Sequence, residues 1–435
     1  MVLLHPLLTA AALLGASARA QSVVGTPFGF ASGTTGGGNA APAAPKDTNE
    51  LKEWLADPNP RVIVIDKEFN FIGTEDTCTD CECCIPDSNT CGDAGQNAIK
   101  TEGSDWCGSY PATTCTYDNA GLEGMEVASD KTIIGVGDAG VIRGKGLRLV
   151  NGVSNIIIQN VHITELNPQY IWGGDAISLD GTDKIWVDHV KVSLVGRQMF
   201  VTGYESSMYR GRQNQTLVRQ RLTKSIGGGV TVSNSEFDGQ TKLGYGKGDQ
   251  ITFANNYIHH TSGRSPKIEF DSHWHAYNNF WENNSGHAFD VGEGANVLIE
   301  GNVFSNVKTP MNPEDTPGST FAVNAQDASS CTSALGRPCI ANELTSSGEL
   351  SGNDEAVLSG WPKGEGDTKA MTTDKVPSYV KANAGVGKLG SGGSGAASSS
   401  ASITPSPTSS AIPSSSATPS SSAYARRHYA RHHHY

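Results

Sequence analysis

The chain has 435 residues, a formal charge of −12, only 17% charged residues and 51 glycines. That length suits one large domain or two ordinary ones, and the low-charge, turn-rich composition points to an all-β chain rather than a helical one. The acidic balance disfavours nucleic acid and other polyanions as partners and suits a neutral polymer.

Residues 1–20 read as a signal peptide. Leu3 to Leu14 is mostly apolar, and Ala18-Arg19-Ala20 resembles a small-x-small cleavage site before Gln21, although only His5 stands where basic residues are usual. No later run is long and apolar enough to span a bilayer, so a secreted, extracellular protein without membrane attachment is expected. Residues 21–389 read as the folded domain. The stretch from Asp47 to Leu55 predicts a short helix with Thr48 as N-cap and Leu51, Trp54 and Leu55 within it, placed to cap an open core.

Seven of the nine cysteines lie between Cys78 and Cys115, and Cys331 and Cys339 form a separate close pair. A secreted chain favours disulfides, and Cys83, Cys107, Cys331 and Cys339 are expected among the bridged ones. Pairing inside the cluster stays open. A zinc reading of Cys81, Cys83 and Cys84 lacks the two CxxC pairs it needs. Nine is odd, so at least one thiol has no intramolecular partner.

A repeat carries the fold argument. A short strand closed by Asn or a substitute recurs, with closing residues Asn160, His189, Asn234, Asn255, Asn278 and Gly301, at steps of 29, 45, 21, 23 and 23 residues. Such units bury their apolar faces only by stacking, and the closing residue is expected to point inward and form a hydrogen-bonded ladder. The steps suit a single-stranded parallel β-helix. The Leu pattern of leucine-rich repeats is absent, and β-branched alternation excludes helical repeats. By the same reasoning His189 packs, Asp188 is a turn or ladder partner, and His259, His260, His273 and His275 are stack residues.

Three polar clusters interrupt the repeat: Trp172-Gly-Gly-Asp175, Trp186-Val-Asp188-His189 followed by Gly196-Arg197-Gln198, and His260-Thr-Ser-Gly263-Arg264-Ser-Pro266-Lys267. Together with Ser285-Gly-His-Ala-Phe-Asp-Val-Gly-Glu-Gly and Glu300-Gly-Asn-Val-Phe, these resemble the signature of fungal pectin lyases, in the same order, from Val23 to about Leu389. The resemblance implies a right-handed parallel β-helix with a cleft along one face. It implies β-elimination on methyl-esterified pectin by a monomer, with neither metal nor cofactor. Arg264 matches the family's base, which removes the C5 proton of a galacturonate residue as the C4 oxygen leaves. A methyl ester leaves the carbonyl without formal charge, whereas pectate lyases neutralise the carboxylate with Ca²⁺ held by aspartates. Arg197 matches a cation of the cleft, and Asp175 an acid that orients it or the substrate. Lys267 is placed at a substrate oxygen or the cleft wall. Tyr170 and Trp172 are candidates for stacking on sugars, with core packing as the alternative.

Two stretches depart from that pattern. Met208 to Gly227 is an insert of 20 residues bearing Arg210, Arg212, Arg219, Arg221 and Lys224 and no acid; removing it shortens the odd step from 45 to 25. It is expected to be a retained intron of 60 nucleotides, since Ser207-Met-Tyr can encode a donor-like GTATGT and Ser225-Ile-Gly an acceptor TAG, with a genuine surface loop as the competing reading. Mature transcripts that all read through it would overturn this. Gln240 to Lys247 is shorter than the family's segment, which carries a Cys that pairs with one of the N-terminal cluster; its absence here makes Cys91 the candidate orphan. Asn283 heads one N-glycosylation sequon and Asn214 another. Residues 390–435 predict a disordered Ser/Thr/Pro-rich tail, and its His432-His433-His434 run a solvated end rather than a metal site. Three rival readings remain: a Ca²⁺-dependent pectate lyase, an inactive polysaccharide-binding β-helix, and a polygalacturonase, which lacks its paired aspartates here.

Overall fold

Each β-branched run pairs in parallel with the run one repeat away, so the strands stack instead of folding back. Ile156, Ile185 and Val230 form one such row: Ile156 lies opposite Ile185, and Ile185 opposite Val230. The computed structural model describes residues 21–389 apart from 90–94, 102, 204–227, 240–241, 244–247, 314–316, 363–364 and 366–367. Within them the chain winds as a right-handed parallel β-helix. One ten-stranded sheet runs from Pro42–Ala43 to Ser319–Ala322, a second joins Glu68–Asn70 to Glu343–Thr345, and a third of five strands joins Met125–Glu126 to Lys242–Leu243. The long repeat step falls within one turn of this winding, because Asp188 still pairs with Ser233 in the next coil. The insert, with Asn214, lies outside the described residues. So do the signal segment, the tail and most of the short stretch 240–247, of which Lys242–Leu243 is a strand paired with Gln198 and Phe200.

The closing residues are not the ladder. Asn160, His189, Asn234, Asn255, Asn278 and Gly301 all have φ between 45° and 59°, the left-handed region that short polar residues and Gly tolerate best. They turn the corner between the first two sheets, and Asn160 ties two carbonyls across it, those of Gly135 and Gly137. The inward ladder is one residue further on. Asn256 Nδ2 donates to Asn279 Oδ1 at 2.9 Å, Asn279 to Asn302 at 2.9 Å, and Asn302 to Asn342 at 3.1 Å. Asn256, Asn279 and Asn302 are wholly buried and also satisfy strand-end carbonyls. Val161 and Val190 hold this place in earlier coils. A second left-handed column runs through Glu165, Leu194, His260, Asn283, Asn306 and Ser346. Of its members Leu194 is poorly suited, being branched, bulky and 55% exposed.

The helix forms at Thr48–Ala56, but its N-cap is Asp47, whose carboxylate accepts from Glu50 N at 2.9 Å. Thr48 is therefore the first helical residue. Leu51 and Leu55 are fully buried against the end of the core, as a cap requires. Inside, Trp281 stacks on Phe304 at 4.9 Å, part of an aromatic column with Phe253 and Phe289. Cys331 and Cys339 pair as expected. Cys83 and Cys107 are both bridged, but to Cys115 and Cys84, and Cys78 joins Cys81. All eight described cysteines are taken by one another, and Cys91 lies outside the described residues.

His275 is fully buried, with Nδ1 2.6 Å from Glu365 and Nε2 2.8 Å from Glu300, which also pairs with Arg337. This ties the C-terminal arm to the coils. Burial opposes the charged ring, but the two carboxylates outweigh it and raise His275 to about 9. Burial likewise opposes ionised Glu300, while His275 and Arg337 hold it down at about 2. His273 is half-buried, and His260 is exposed rather than stacked.

Two outcomes follow for stability. Leu194→Asn should raise the unfolding free energy by about 1 kcal/mol in urea titration by removing a left-handed penalty from an exposed site. A destabilised variant would contradict the corner reading. The His275 contribution is present in full below its unfolded value near 6.5 and is lost as pH rises through 9; the Glu300 contribution is present above 4.5 and lost toward 2. The urea midpoint should therefore fall between pH 6.5 and 9, and this fall should shrink in His275→Gln.

Candidate functional site

The polar clusters follow strands of the second sheet; the first two lead into the third sheet, whereas the strand after Arg264 pairs with Phe280–Val291 instead. Asp175 precedes the strand Ile177–Leu179, Arg197 precedes Gln198–Thr202, and Arg264 precedes Lys267–Ile268. One coil separates the Arg197 coil from the Arg264 coil, so the two lie roughly 10 Å apart along the axis. His287 and Asp290 continue the column in the following coil, where Asp290 pairs in register with Lys267.

One wall of this column is built by an excursion from the winding. After Glu68–Asn70 the chain leaves the coil and forms an antiparallel pair, Thr77–Cys84 with Ala112–Asp118, stapled by Cys83–Cys115. Asn97–Ile99 adds to it, and Tyr170–Ile171 docks on Asn97–Ile99 in parallel. Trp172 is thereby held against Trp106 edge-on at 5.9 Å, with Tyr110 on the far side of Trp106 and Tyr117 against Tyr170. Tyr170 and Trp172 pack on the disulfide cluster. Trp106 keeps 37% of its surface exposed, so the wall presents an aromatic face to solvent.

Gly174 allows the close approach behind this wall. It has φ +139°, and a Cβ there would lie 2.0 Å from the Gly121 carbonyl oxygen. Next to it, Asp175 Oδ1 accepts from Gln198 N at 2.9 Å while Oδ2 faces Arg197 at 3.8 Å. The Arg197 guanidinium lies over the Trp172 ring, 3.8 Å from its centroid, and donates to Gln198 Oε1. Asp175, Arg197, Trp172 and Tyr170 are thus brought together as one unit. Trp172 Nε1 is buried and makes no hydrogen bond among the described residues.

Arg264 stands in the left-handed region with φ +51°, a strained placement for an arginine. Its flanks enforce it. Ser265 is fully buried, its N donates to Ala288 O, its hydroxyl meets Thr261 Oγ1 at 3.0 Å, and its carbonyl accepts Trp281 Nε1 at 2.7 Å. Arg264 Nε lies 3.5 Å from Asp290 Oδ2, and His287 Nε2 approaches the same oxygen at 3.5 Å. Asn312 donates to Asp290 Oδ1. Although burial pushes Asp290 upward, the neighbouring His287 and the hydrogen bond from Asn312 hold it below the usual carboxylate range, so it is an anion. Lys267 is nearly buried with Nζ 2.9 Å from Glu269, which places it in the wall.

Asp290 and His287 went unassigned from sequence, although both sit in the Ser285-Gly-His-Ala-Phe-Asp motif; their role depends on register between coils. Trp106 and Tyr110 left no motif at all. Asp188 is the partner expected of it, accepting from Gln159, Ser233 and Asn234 across three coils.

A sequence profile described as "Pectate lyase" matches residues 1–389. The chain belongs to the pectate lyase family. It is 93% identical to "Probable pectin lyase F" of Aspergillus flavus over 448 aligned positions that cover the whole of both chains. Set against 435 residues, 448 positions leave 13 in which this chain has a gap. It is 43% identical to "Pectin lyase D" of Aspergillus niger, over 88% of this chain and 98% of that one. Among solved structures, a doubly substituted pectate lyase from Xanthomonas campestris superposes with TM-score 0.51 at 20% identity, over 83% of this chain and 98% of that one. A point mutant of the Bacillus subtilis pectate lyase gives 0.52 at 16%, over 85% and 99%. Both likenesses concern the fold.

The stacking of Arg197 on Trp172 is a measurable coupling. A double-mutant cycle of Arg197→Gln and Trp172→Leu, read by unfolding free energy, should give about 0.5–2 kcal/mol of interaction. Additive losses would mean the two side chains are neighbours without mutual attraction.

Proposed function

We propose that this chain is a pectin lyase that cleaves methyl-esterified polygalacturonate by β-elimination. The observation that carries the reading is the commitment of Asp175: one oxygen is taken by Gln198 N and the other faces Arg197. A guanidinium stands beside the carboxylate, where a Ca²⁺ cage would need several free carboxylates. Among the described residues no group of three or more metal-ligating side chains includes Asp175. An aromatic wall suits an esterified, uncharged polymer better than a polyanion. The relatives bearing pectin lyase names agree with this choice over the Ca²⁺-dependent rival.

In this reading Arg264 takes the C5 proton. The C5–H electron pair forms the C4–C5 double bond, the C4–O bond breaks, and the leaving oxygen is protonated by solvent or a cleft group. Guanidinium is almost always charged, so Arg264 acts as a base only after releasing its own proton. Asp290 and the buried Ser265 fix where it points. Arg197 faces the ester carbonyl, on which charge develops. Trp106 and Trp172 stack on sugar faces, and Lys267 lines the wall. Residues 1–20 serve as a secretion signal, the enzyme works outside the cell as a monomer, and Asn283, exposed on its corner, accepts a glycan.

Absorbance of the unsaturated uronide product, with highly methylated pectin and EDTA present, tests this. The rate should survive EDTA, be lower on de-esterified substrate, and fall about 10²–10⁴-fold in Arg264→Ala with pectin binding retained. Binding without any absorbance from the unaltered chain would establish the inactive polysaccharide-binding reading instead.

A further inference from the structure

Away from the cleft column, the outer face of the second sheet carries an arrangement the lyase reading does not use. Asp238 ends the strand Glu236–Asp238, and His259 ends Tyr257–His259 in the next coil, directly opposite it. His260 follows at the left-handed corner. His259 Nδ1 and His260 Nδ1 lie 2.8 Å apart, and each is 3.3 Å from Asp238 Oδ1. Three potential ligand atoms are therefore gathered within one small triangle.

We propose that Asp238, His259 and His260 form a binding site for one transition-metal ion of the Zn²⁺ class. Bonds of 2.0–2.1 Å at tetrahedral angles set ligand atoms about 3.4 Å apart, close to the triangle seen here. The donor set, two imidazoles and one carboxylate, suits Zn²⁺, Ni²⁺ or Cu²⁺, whereas Ca²⁺ and Mg²⁺ need six or more oxygens. The outer shell is in place as well. Glu236 Oε1 lies 3.2 Å from His259 Nε2 and is held by Lys191 Nζ at 2.9 Å. A carboxylate on Nε2–H leaves the Nδ1 lone pair directed at the ion, the usual carboxylate–histidine–metal relay. The Tyr257 ring stacks on His259 at 4.1 Å and fixes its plane. His260 is 61% exposed, which gives the ion an entry path and leaves a fourth position to water.

From sequence alone His259 and His260 belong to the stack and no metal is expected. The bound ion would join two successive coils four residues before Arg264, so its effect is on the rigidity of that arm. The site does not depend on which polymer is cut.

The test uses the full chain with the tail imidazoles removed by His428→Ala, His432→Ala, His433→Ala and His434→Ala, stripped with EDTA and then freed of chelator. Titration calorimetry with ZnCl₂ should give one ion per chain, and saturating Zn²⁺ should raise the thermal midpoint by about 5 °C. Adding His260→Ala should abolish both effects while leaving the metal-free midpoint unchanged, because that side chain is exposed. Glu236→Gln should weaken Zn²⁺ about 10–100-fold. Should His260→Ala lower the metal-free midpoint, Asp238→Asn takes its place. Unchanged Zn²⁺ affinity in these variants, or equal stabilisation by Ca²⁺, would overturn the proposal.

Discussion

Everything in this protein depends on one spacing. A coil of a parallel β-helix cannot satisfy its own peptide groups, so each N–H and C=O bonds to the coil above or below, about 4.8 Å away. Equivalent residues of successive coils are therefore stacked whether or not their side chains agree. The sequence must supply side chains that tolerate a copy of themselves at that distance. Aromatic rings do so by stacking, as Trp281 does on Phe304. Asparagines do so by passing Nδ2 to Oδ1 along the axis. Isolated charges do not, which accounts for the scarcity of charge and for the pairing of buried Lys131 with three carbonyls.

The same spacing organises the cleft. Asp175, Arg197, Arg264 and Asp290 are far apart in sequence but lie in one column along the axis. A polymer laid along the axis meets them in turn, one coil at a time. Substrate binding is thus spread over the excursion wall and the column, while chemistry is confined to one strained residue. The strain at Arg264 is sustained by Ser265, which is anchored through Trp281 to the aromatic core. Packing energy from the interior is in this way converted into the aim of one partly buried guanidinium.

The winding was legible because its period is local: β-branched runs closed by Asn or Gly at near-constant steps can be counted along the chain. The ladder was misplaced by one residue, since a corner Asn and an inward Asn are the same letter and adjacent at Asn255-Asn256, Asn278-Asn279 and, with Gly, Gly301-Asn302. Only the backbone, with φ near 55° at the first of each pair, tells them apart. Arg264, Arg197 and Asp175 were legible through motif resemblance. Asp290 was not given a role, because its partner is a coil away and register is invisible in one sequence. The pairing of Cys83 with Cys115 was hidden as well, because Cys115 lies opposite Cys81 in the antiparallel register and the bridge runs diagonally to Cys83.

The solenoid's ends have a consequence of their own. Among the described residues both ten-stranded sheets finish in strands with no further parallel strand beside them, and a matching edge on another molecule would continue the winding indefinitely. Leu51 and Leu55 of the first helix seal one mouth of the core. At the other, Asn353 crosses Phe321 in an antiparallel bridge, the wrong direction for a further coil. Head-to-tail fibre growth is thereby blocked at both ends, and a chain built of self-complementary layers stays finite.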